Sequence, residues 1–330
     1  MDELEQDGHH AAGPPWLADH SGVRPRAVLP DPLRLPQALL DLAVPHEDIN
    51  ELVRLQAVLT ADPDLRALLD RALSALLWKA GEPEHNNGLP DLPPEASGSM
   101  GAAFAVFVYL AALPYTRAHH RARGIPSEIS RRSLEDLGRQ LAVHRRRFGS
   151  TGLHTPDWLT RHFRGELYQL ARLQFERVRL DHHTAEALAG AGAPARTGQA
   201  ALSLHIPDFH GPLTPEACEE SLALARDFFA GFFPEEPTGV VLCESWLLDP
   251  QLRHGLPGHA NIVAFQNRFT LTGDRGRPER DSAVSFVFGA SEADRRTLPR
   301  ETSMQRAVLD HLDEGGHWYT RLGWFALDSG

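Results

Sequence analysis

Between Leu202 and Leu222 the sequence reads LSLHIPDFHGPLTPEACEESL, which gathers residue types suited to acid–base chemistry and anion binding. Alternation puts Leu202, Leu204 and Ile206 on one face of a strand, and Ser203 and His205 on the other. His205 therefore points toward whatever cleft opens over that face. Thr214 fits the N-cap of the next helix and Pro215 its first position. A helix start carries unpaired N–H groups and the positive end of the helix dipole, a natural seat for phosphate or carboxylate. His210, Gly211, Leu213 and Thr214 are the candidate binding residues there, and Gly211 lets the backbone come close. The plainer alternative is a simple helix cap beside a structural histidine.

Two other constellations carry chemistry-bearing side chains. Arg172, Gln174 and Glu176 alternate with Ala171, Leu173 and Phe175, the pattern of a half-buried strand whose polar row faces solvent or lines a site. The strand GVVLCESW sets Cys243 and Ser245 on one face and Glu244 on the other. Cys243, between apolar residues and a tryptophan, reads as a small buried side chain rather than a reactive thiolate.

Several chemistries are excluded. Of 33 basic residues only Lys79 is lysine, so no P-loop exists and a lysine Schiff base is not expected. There is no GxSxG elbow and no HExxH. The pairs His119–His120 and His182–His183 are chain neighbours, which diverge on a helix and seldom share a metal, so no metal site is expected. Two cysteines imply no disulfide framework. A formal charge of −11 disfavours nucleic acid as a partner. The apolar run from Met100 to Leu113 is shorter than the roughly 20 residues a bilayer requires, so no membrane role is expected. With an acidic, non-apolar start, this points to a cytoplasmic chain.

The elements that must position these residues change character near residue 163. Residues 1–30 read as a flexible tail, and 31–163 as a helical domain. In it Asp62 caps a helix with a Leu65, Leu68, Leu69, Ala72, Leu73, Leu76, Leu77 stripe, and GAAFAVFVYLAAL forms a buried helix. Residues 82–98 form a Pro/Gly-rich loop. Ser133 begins a helix with Leu134, Leu137, Leu141 and Phe148 inward, and 155–157 begin a short one carrying Trp158 and Phe163. From 164 to 330 the period becomes two. Strands are expected near 171–176, 201–206 and 239–246, and also at NIVAFQNRFTL, SAVSFVF and HWYTRLGWFAL. Helices follow Thr214 and Thr302, and 184–200 reads as a flexible connection. The fold class is α+β: an all-helical N-terminal domain followed by a mixed α/β sheet domain.

From about residue 115 onward the chain resembles bacterial, especially actinobacterial, acyltransferase-domain proteins with a helical N-terminal domain and a GNAT-like C-terminal domain. The resemblance lies in RGIPSEISRRSLEDLGRQLAVHRRRFG, WLTRHFRGELYQLARLQFERV, LHIPDFHGPLTPEACEESLALARDFF, SWLLDPQL, NIVAFQNRFTL and TSMQRAVLDHLDEGGHWYTRLGW. It implies acyl transfer from acyl-CoA or acetyl-CoA as co-substrate to the amine of a small molecule. It places the splayed strand at 201–206, its partner at 239–246 and the pyrophosphate helix at 214–230. His205 is then the first choice of base, with Glu176 and Glu244 after it, and Ser245 helps backbone N–H groups meet the oxyanion. One departure stands out: the phosphate loop reads DFHGPLTPEA, where Pro212 and Pro215 remove two N–H donors. The alternative function is a non-catalytic protein that binds a small acidic or acylated metabolite in the same cleft.

Overall fold

A computed structural model describes residues 25–83, 88–89, 100–273, 276–279, 282–289 and 292–327. Helices α1 (Leu35–Leu40), α2 (His46–Ala61) and α3 (Pro63–Leu77) open the fold. Asp62 caps α3 by accepting from the N–H groups of Asp64 and Leu65, and all seven residues of the expected stripe are buried. Helix α4 (Phe104–Ala122) buries every residue from Phe104 to Leu113. It runs through a core that also takes in leucines of α1, α2 and α3 and ends at Phe163.

Several expectations for this half need correction. The helix expected from Ser133 is two: α5 (Ser127–Leu134) and α6 (Asp136–Phe148), separated at Glu135. Phe148 is exposed, and the inward face of α6 is Leu137, Gly138, Leu141 and His144. Gly138 is there because a Cβ would stand 2.1 Å from the backbone carbonyl of Ala43. Of the tail expected over 1–30, residues 1–24 lie outside the described residues, and 26–30 are tied down: Ala27 N–H donates to Asp70, and the carbonyls of Arg26 and Pro30 accept from Tyr115 and Gln56. Most of the loop expected over 82–98 lies outside the described residues. A turn at Pro156–Leu159 and the single-turn α7 (Thr160–Phe163) lead into the second half.

There a mixed sheet has the order β1 (Leu167–Leu170), β2 (Leu173–Arg179), β3 (Ala200–His205), β4 (Val240–Ser245), β7 (Trp318–Ala326), β5 (Thr270–Leu271), and a short β6 (Arg277–Glu279) pairs with β7 beside β5. Among the described strands only β3 and β4 run parallel, joined by the crossover helix α9 (Pro215–Phe232). Leu173, Phe175, Leu202, Leu204, Val241 and Cys243 on one sheet face pack against Cys218, Leu222, Ala225, Phe228 and Phe229 of α9. On the opposite face Ala185 and Leu188 cover part of the sheet. They belong to α8 (His182–Gly190), capped by Asp181, in the segment expected to be a flexible connection.

Of the segments expected as strands, SAVSFVF is a helix, and NIVAFQNRFTL is a helix that leads into the two-residue β5. In NIVAFQ, α11 (Asn261–Gln266) buries Ile262, Val263, Phe265 and Gln266, a 3.6-residue spacing. SAVSFVF forms α12 (Ser282–Phe288), with Ala283 and Val284 buried and Phe286 exposed. Both are too short for periodicity to separate helix from strand, so packing decides. Helices α10 (Leu252–Gly255) and α13 (Ser303–Asp313) complete the second half, α13 with the full capping box between Thr302 and Gln305.

The domain seam holds His119 and His120 of α4. Burial lowers their pKa values to about 3 and about 4, with neighbouring charges adding to the effect. A depressed folded-state pKa means that the unfolded chain takes protons the native seam refuses. Stability is therefore full above about pH 6.5 and falls as pH drops toward those folded values, by up to about 2.7 kcal/mol per pH unit for two such groups. Urea midpoints measured from pH 7 to 4.5 should fall steeply; a flat profile contradicts this reading.

Candidate active site

The sheet opens between β3 and β4. Strand β2 pairs with β3 along its length, from Gln174↔His205 to Arg179↔Ala200, and β4 pairs with β7 from Val240↔Ala326 to Ser245↔Arg321. Between β3 and β4 the register holds only Leu202↔Val241 and Ser203↔Leu242. Beyond that point the two strands have no ladder bonds to each other, and a cleft of about 920 Å³ lies over the gap. Its walls come from the sheet, α6 with the 156–163 turn of the helical domain, Asp181 and Thr184 at the start of α8, residues 206–209 of the β3–α9 loop, the turn after β4, and Ser285 and Phe286 of α12.

His205 and Glu176 both line this cleft, with His205 Nε2 2.8 Å from Glu176 Oε2. Arg161, from the helical domain, donates from Nε to the other carboxylate oxygen at 3.0 Å. Burial pushes the Glu176 carboxyl up, but the His205 hydrogen bond and the Arg161 charge outweigh it and hold the pKa below the usual value. Glu176 is thus a carboxylate that only accepts. A neutral His205 ring must then carry its hydrogen on Nε2, which leaves the Nδ1 lone pair to accept a proton. The Trp158 ring packs edge-on against the imidazole, with centroids 4.9 Å apart and planes at 80°. Arg161 lies over the Trp158 ring, 5.3 Å from its centroid.

The other candidates fall into two groups. Glu244 and Ser245 line the β4 wall, Glu244 exposed. Ser245 Oγ accepts from Leu247 N–H at 3.1 Å and caps the turn Trp246–Leu248, keeping its own hydrogen to donate. Cys243 also reaches the cleft, but burial pushes its thiol up to about 12, so it is a protonated, inert group. His210, Gly211, Leu213 and Thr214 sit outside the cleft wall, in the β3–α9 loop. Thr214 Oγ1 accepts from Ala217 N–H, so the cap already occupies one donor of the helix start. His210 and Gly211 both have left-handed backbones, φ 83° and 80°. Burial and the nearby Arg139 and Arg172 bring the His210 pKa down to about 4, so this imidazole is neutral.

Arg172 leaves the polar row expected on β2. It precedes the strand, and its Nε donates to the Gly211 carbonyl at 2.9 Å, while Gln174 and Glu176 face the cleft. Arg172 is buried, and its Nη1 has no hydrogen-bond partner among the described residues. Arg268 also reaches the start of α9, with Nη1 donating to Glu219 at 2.6 Å, Nη2 3.5 Å from the Pro215 carbonyl and a buried Nε without a partner among the described residues. No local pattern signals Arg268, nor Trp158 and Arg161 as site residues, because only tertiary packing carries them there. Among the described residues no group of three or more His, Cys, Asp or Glu is placed to hold a metal.

Comparison with known proteins matches both halves of the chain. Residues 34–165 match the N-acyltransferase N-terminal domain, and residues 167–325 the GNAT-like C-terminal domain. An acyltransferase crystallised with decanoyl-CoA and teicoplanin is 35% identical, covers 95% of this chain and 94% of its own, and superposes with a TM-score of 0.81. An acyltransferase with CoA and 10C-teicoplanin has the same identity and coverage and a TM-score of 0.80. An acyltransferase mutant with octanoyl-CoA matches at 35% identity, equal coverage and a TM-score of 0.82. No curated protein matches the chain. Given two matched halves and near-complete overlap with these structures, the chain belongs to the acyltransferase family that joins a helical N-acyltransferase N-terminal domain to a GNAT-like C-terminal domain.

Proposed function

We propose that this protein transfers an acyl group from an acyl-CoA to the amine of a small molecule held in the cleft between the sheet and the helical domain. The observation that carries the proposal is the His205–Glu176 pair beside the open end of β3 and β4. A free amine attacks the thioester carbonyl, and His205 Nδ1 takes the proton the nitrogen must lose. The C–N bond forms, the C–S bond breaks, and the proton passes on to the departing CoA thiolate. Holding both reactants across the gap makes the attack nearly intramolecular. Backbone groups of β4 beyond Leu242, with Ser245 beside them, are available to the oxyanion. The protonated Cys243 supports direct transfer rather than an acyl-cysteine intermediate. Glu244, exposed on the β4 wall, is a secondary partner for a cationic acceptor.

The donor's phosphates are assigned to the β3–α9 loop, with His210, Gly211, Leu213 and Thr214 shaping it. Pro212 and Pro215 reduce its backbone donors, and Arg172 and Arg268 supply guanidinium N–H groups in their place. Medium-chain donors and a teicoplanin-like acceptor are the first to try, since the similar structures hold octanoyl-CoA, decanoyl-CoA and teicoplanin. Calorimetric titration with decanoyl-CoA at low salt is expected to show micromolar binding. Arg172→Gln should weaken it by about tenfold to a hundredfold, the range for losing a charge-assisted hydrogen bond. Absence of binding at millimolar decanoyl-CoA overturns the acyl-CoA reading and favours a non-catalytic protein for a small acidic metabolite.

A further inference from the structure

Asp136 opens α6 in the helical domain, yet its carboxylate is only 1% exposed and lines the wall of the cleft. A buried carboxylate is costly unless donors surround it. Here the donors come from three elements. Trp158 Nε1–H donates to Oδ2 at 3.0 Å, from the 156–163 turn. Gln174 Nε2 donates to Oδ1 at 3.2 Å, from β2, and Gln140 Nε2 donates to Oδ2 at 3.2 Å, from α6 itself. Arg139 Nη1 lies 3.5 Å from Oδ1. The buried His162 is 3.6 Å away, and desolvation lowers its pKa, so it adds no second charge to the cluster.

Both donors from outside α6 are neighbours of His205. Trp158 packs its ring edge-on against the imidazole, and Gln174 stands directly opposite His205 in the β2–β3 ladder. We infer that Asp136 is a positioning residue: it clamps Trp158 and Gln174 in one place and so fixes the plane of the His205 ring against Glu176. The helical domain thereby becomes a working part of the acyl-transfer site and more than a cover for the sheet. This inference rests on the reading of His205 as the base. A carboxylate suits the clamp because it accepts from every donor around it. An asparagine side chain in its place would turn an NH₂ toward at least one of those N–H groups and release either the indole or the Gln174 amide.

The test reads thiol release from decanoyl-CoA, with teicoplanin as acceptor and with water as the acceptor-free reference. Asp136→Asn is expected to lower kcat by about tenfold to a hundredfold, the scale of a misplaced catalytic group, and to keep KM for decanoyl-CoA within about twofold. Trp158→Phe keeps a ring against His205 but lacks the N–H, and should lower kcat in the same sense with an unchanged thermal midpoint. Combined with Asp136→Asn it should add little, since both break one clamp. If both single variants keep the parent kcat while His205→Gln loses transfer, Asp136 is merely structural and the inference is overturned. Should Asp136→Asn fail to fold, Trp158→Phe at full rate overturns it alone. A fully active His205→Gln variant removes the base reading, and this inference with it.

Discussion

Replacing His205 by alanine is expected to lower kcat for acyl transfer by about 10²–10⁴-fold, the usual contribution of a positioned general base. Binding of decanoyl-CoA should stay near the parent value, because the imidazole is held against Glu176 and Trp158, while residues 210–214, to which the donor's phosphates are assigned, sit outside the cleft it lines. The effect is large because the residue has a built environment: the Glu176 carboxylate fixes one ring nitrogen, Arg161 holds that carboxylate, and Trp158 sets the ring's edge. Glu176→Gln should lower the rate less, since the amide oxygen still accepts from Nε2 but no longer stabilises an imidazolium. The folded-state pKa of Glu176 is depressed, so the stability this pair contributes is present above the ordinary carboxylate range and is lost as pH falls through the folded value. An alanine variant with parental kcat would exclude His205 as the base.

Arg164→Ala is expected to destabilise the protein by about 3–5 kcal/mol, the cost of removing one partner of a buried ion pair. Arg164 is 2% exposed and donates from Nε to the similarly buried Glu166 at 2.6 Å. Its Nη1 donates to the carbonyls of Leu76 and Trp78 at 2.8 Å each, and its Nη2 to that of Lys79 at 3.0 Å. One guanidinium thus closes the C-terminal end of α3 and ties it to the segment entering β1. Arg177 works on the same corner, with Nη2 3.2 Å from the Gly81 carbonyl and both carboxylate oxygens of Glu236 in reach. Arg164→Lys should recover little, because an ammonium on a flexible stem lacks the planar fork that reaches several carbonyls at once. Urea denaturation measures the loss; a midpoint equal to the parent's would show that the helical domain is held by apolar contacts alone.

These two expectations differ in how far the sequence foretold them. The place of His205 at the end of a strand was legible: alternation at 202–206 and the Thr214–Pro215 helix start are local patterns that survive folding. The capped, leucine-striped α3, the buried α4, the Thr302 capping box and the closing strand were legible for the same reason, since each is fixed by neighbours within a few turns. The short apolar segments 261–266 and 282–288 were not, because six or seven residues fit either period and their burial partners lie elsewhere in the chain. Helix α8 was hidden by its small residues, which bury only Ala185 and Leu188.

Local pattern in the chain was enough for an α+β class, a helical half before a mixed sheet, and a histidine beside a strand-to-helix loop. Periodicity and caps carry that much, because both depend on near neighbours. The company around that histidine comes from long-range packing. Glu176 belongs to a strand 29 residues earlier, Arg161 and Trp158 to a turn of the other domain, and Asp136 to the start of a helix beyond it. Arg172 and Arg268, far apart in the chain, each reach a backbone carbonyl near the start of α9. Hydrogen bonds and ion pairs between distant segments leave no periodic trace in a chain, because their geometry exists only once the sheet has opened and the helical domain has closed against it.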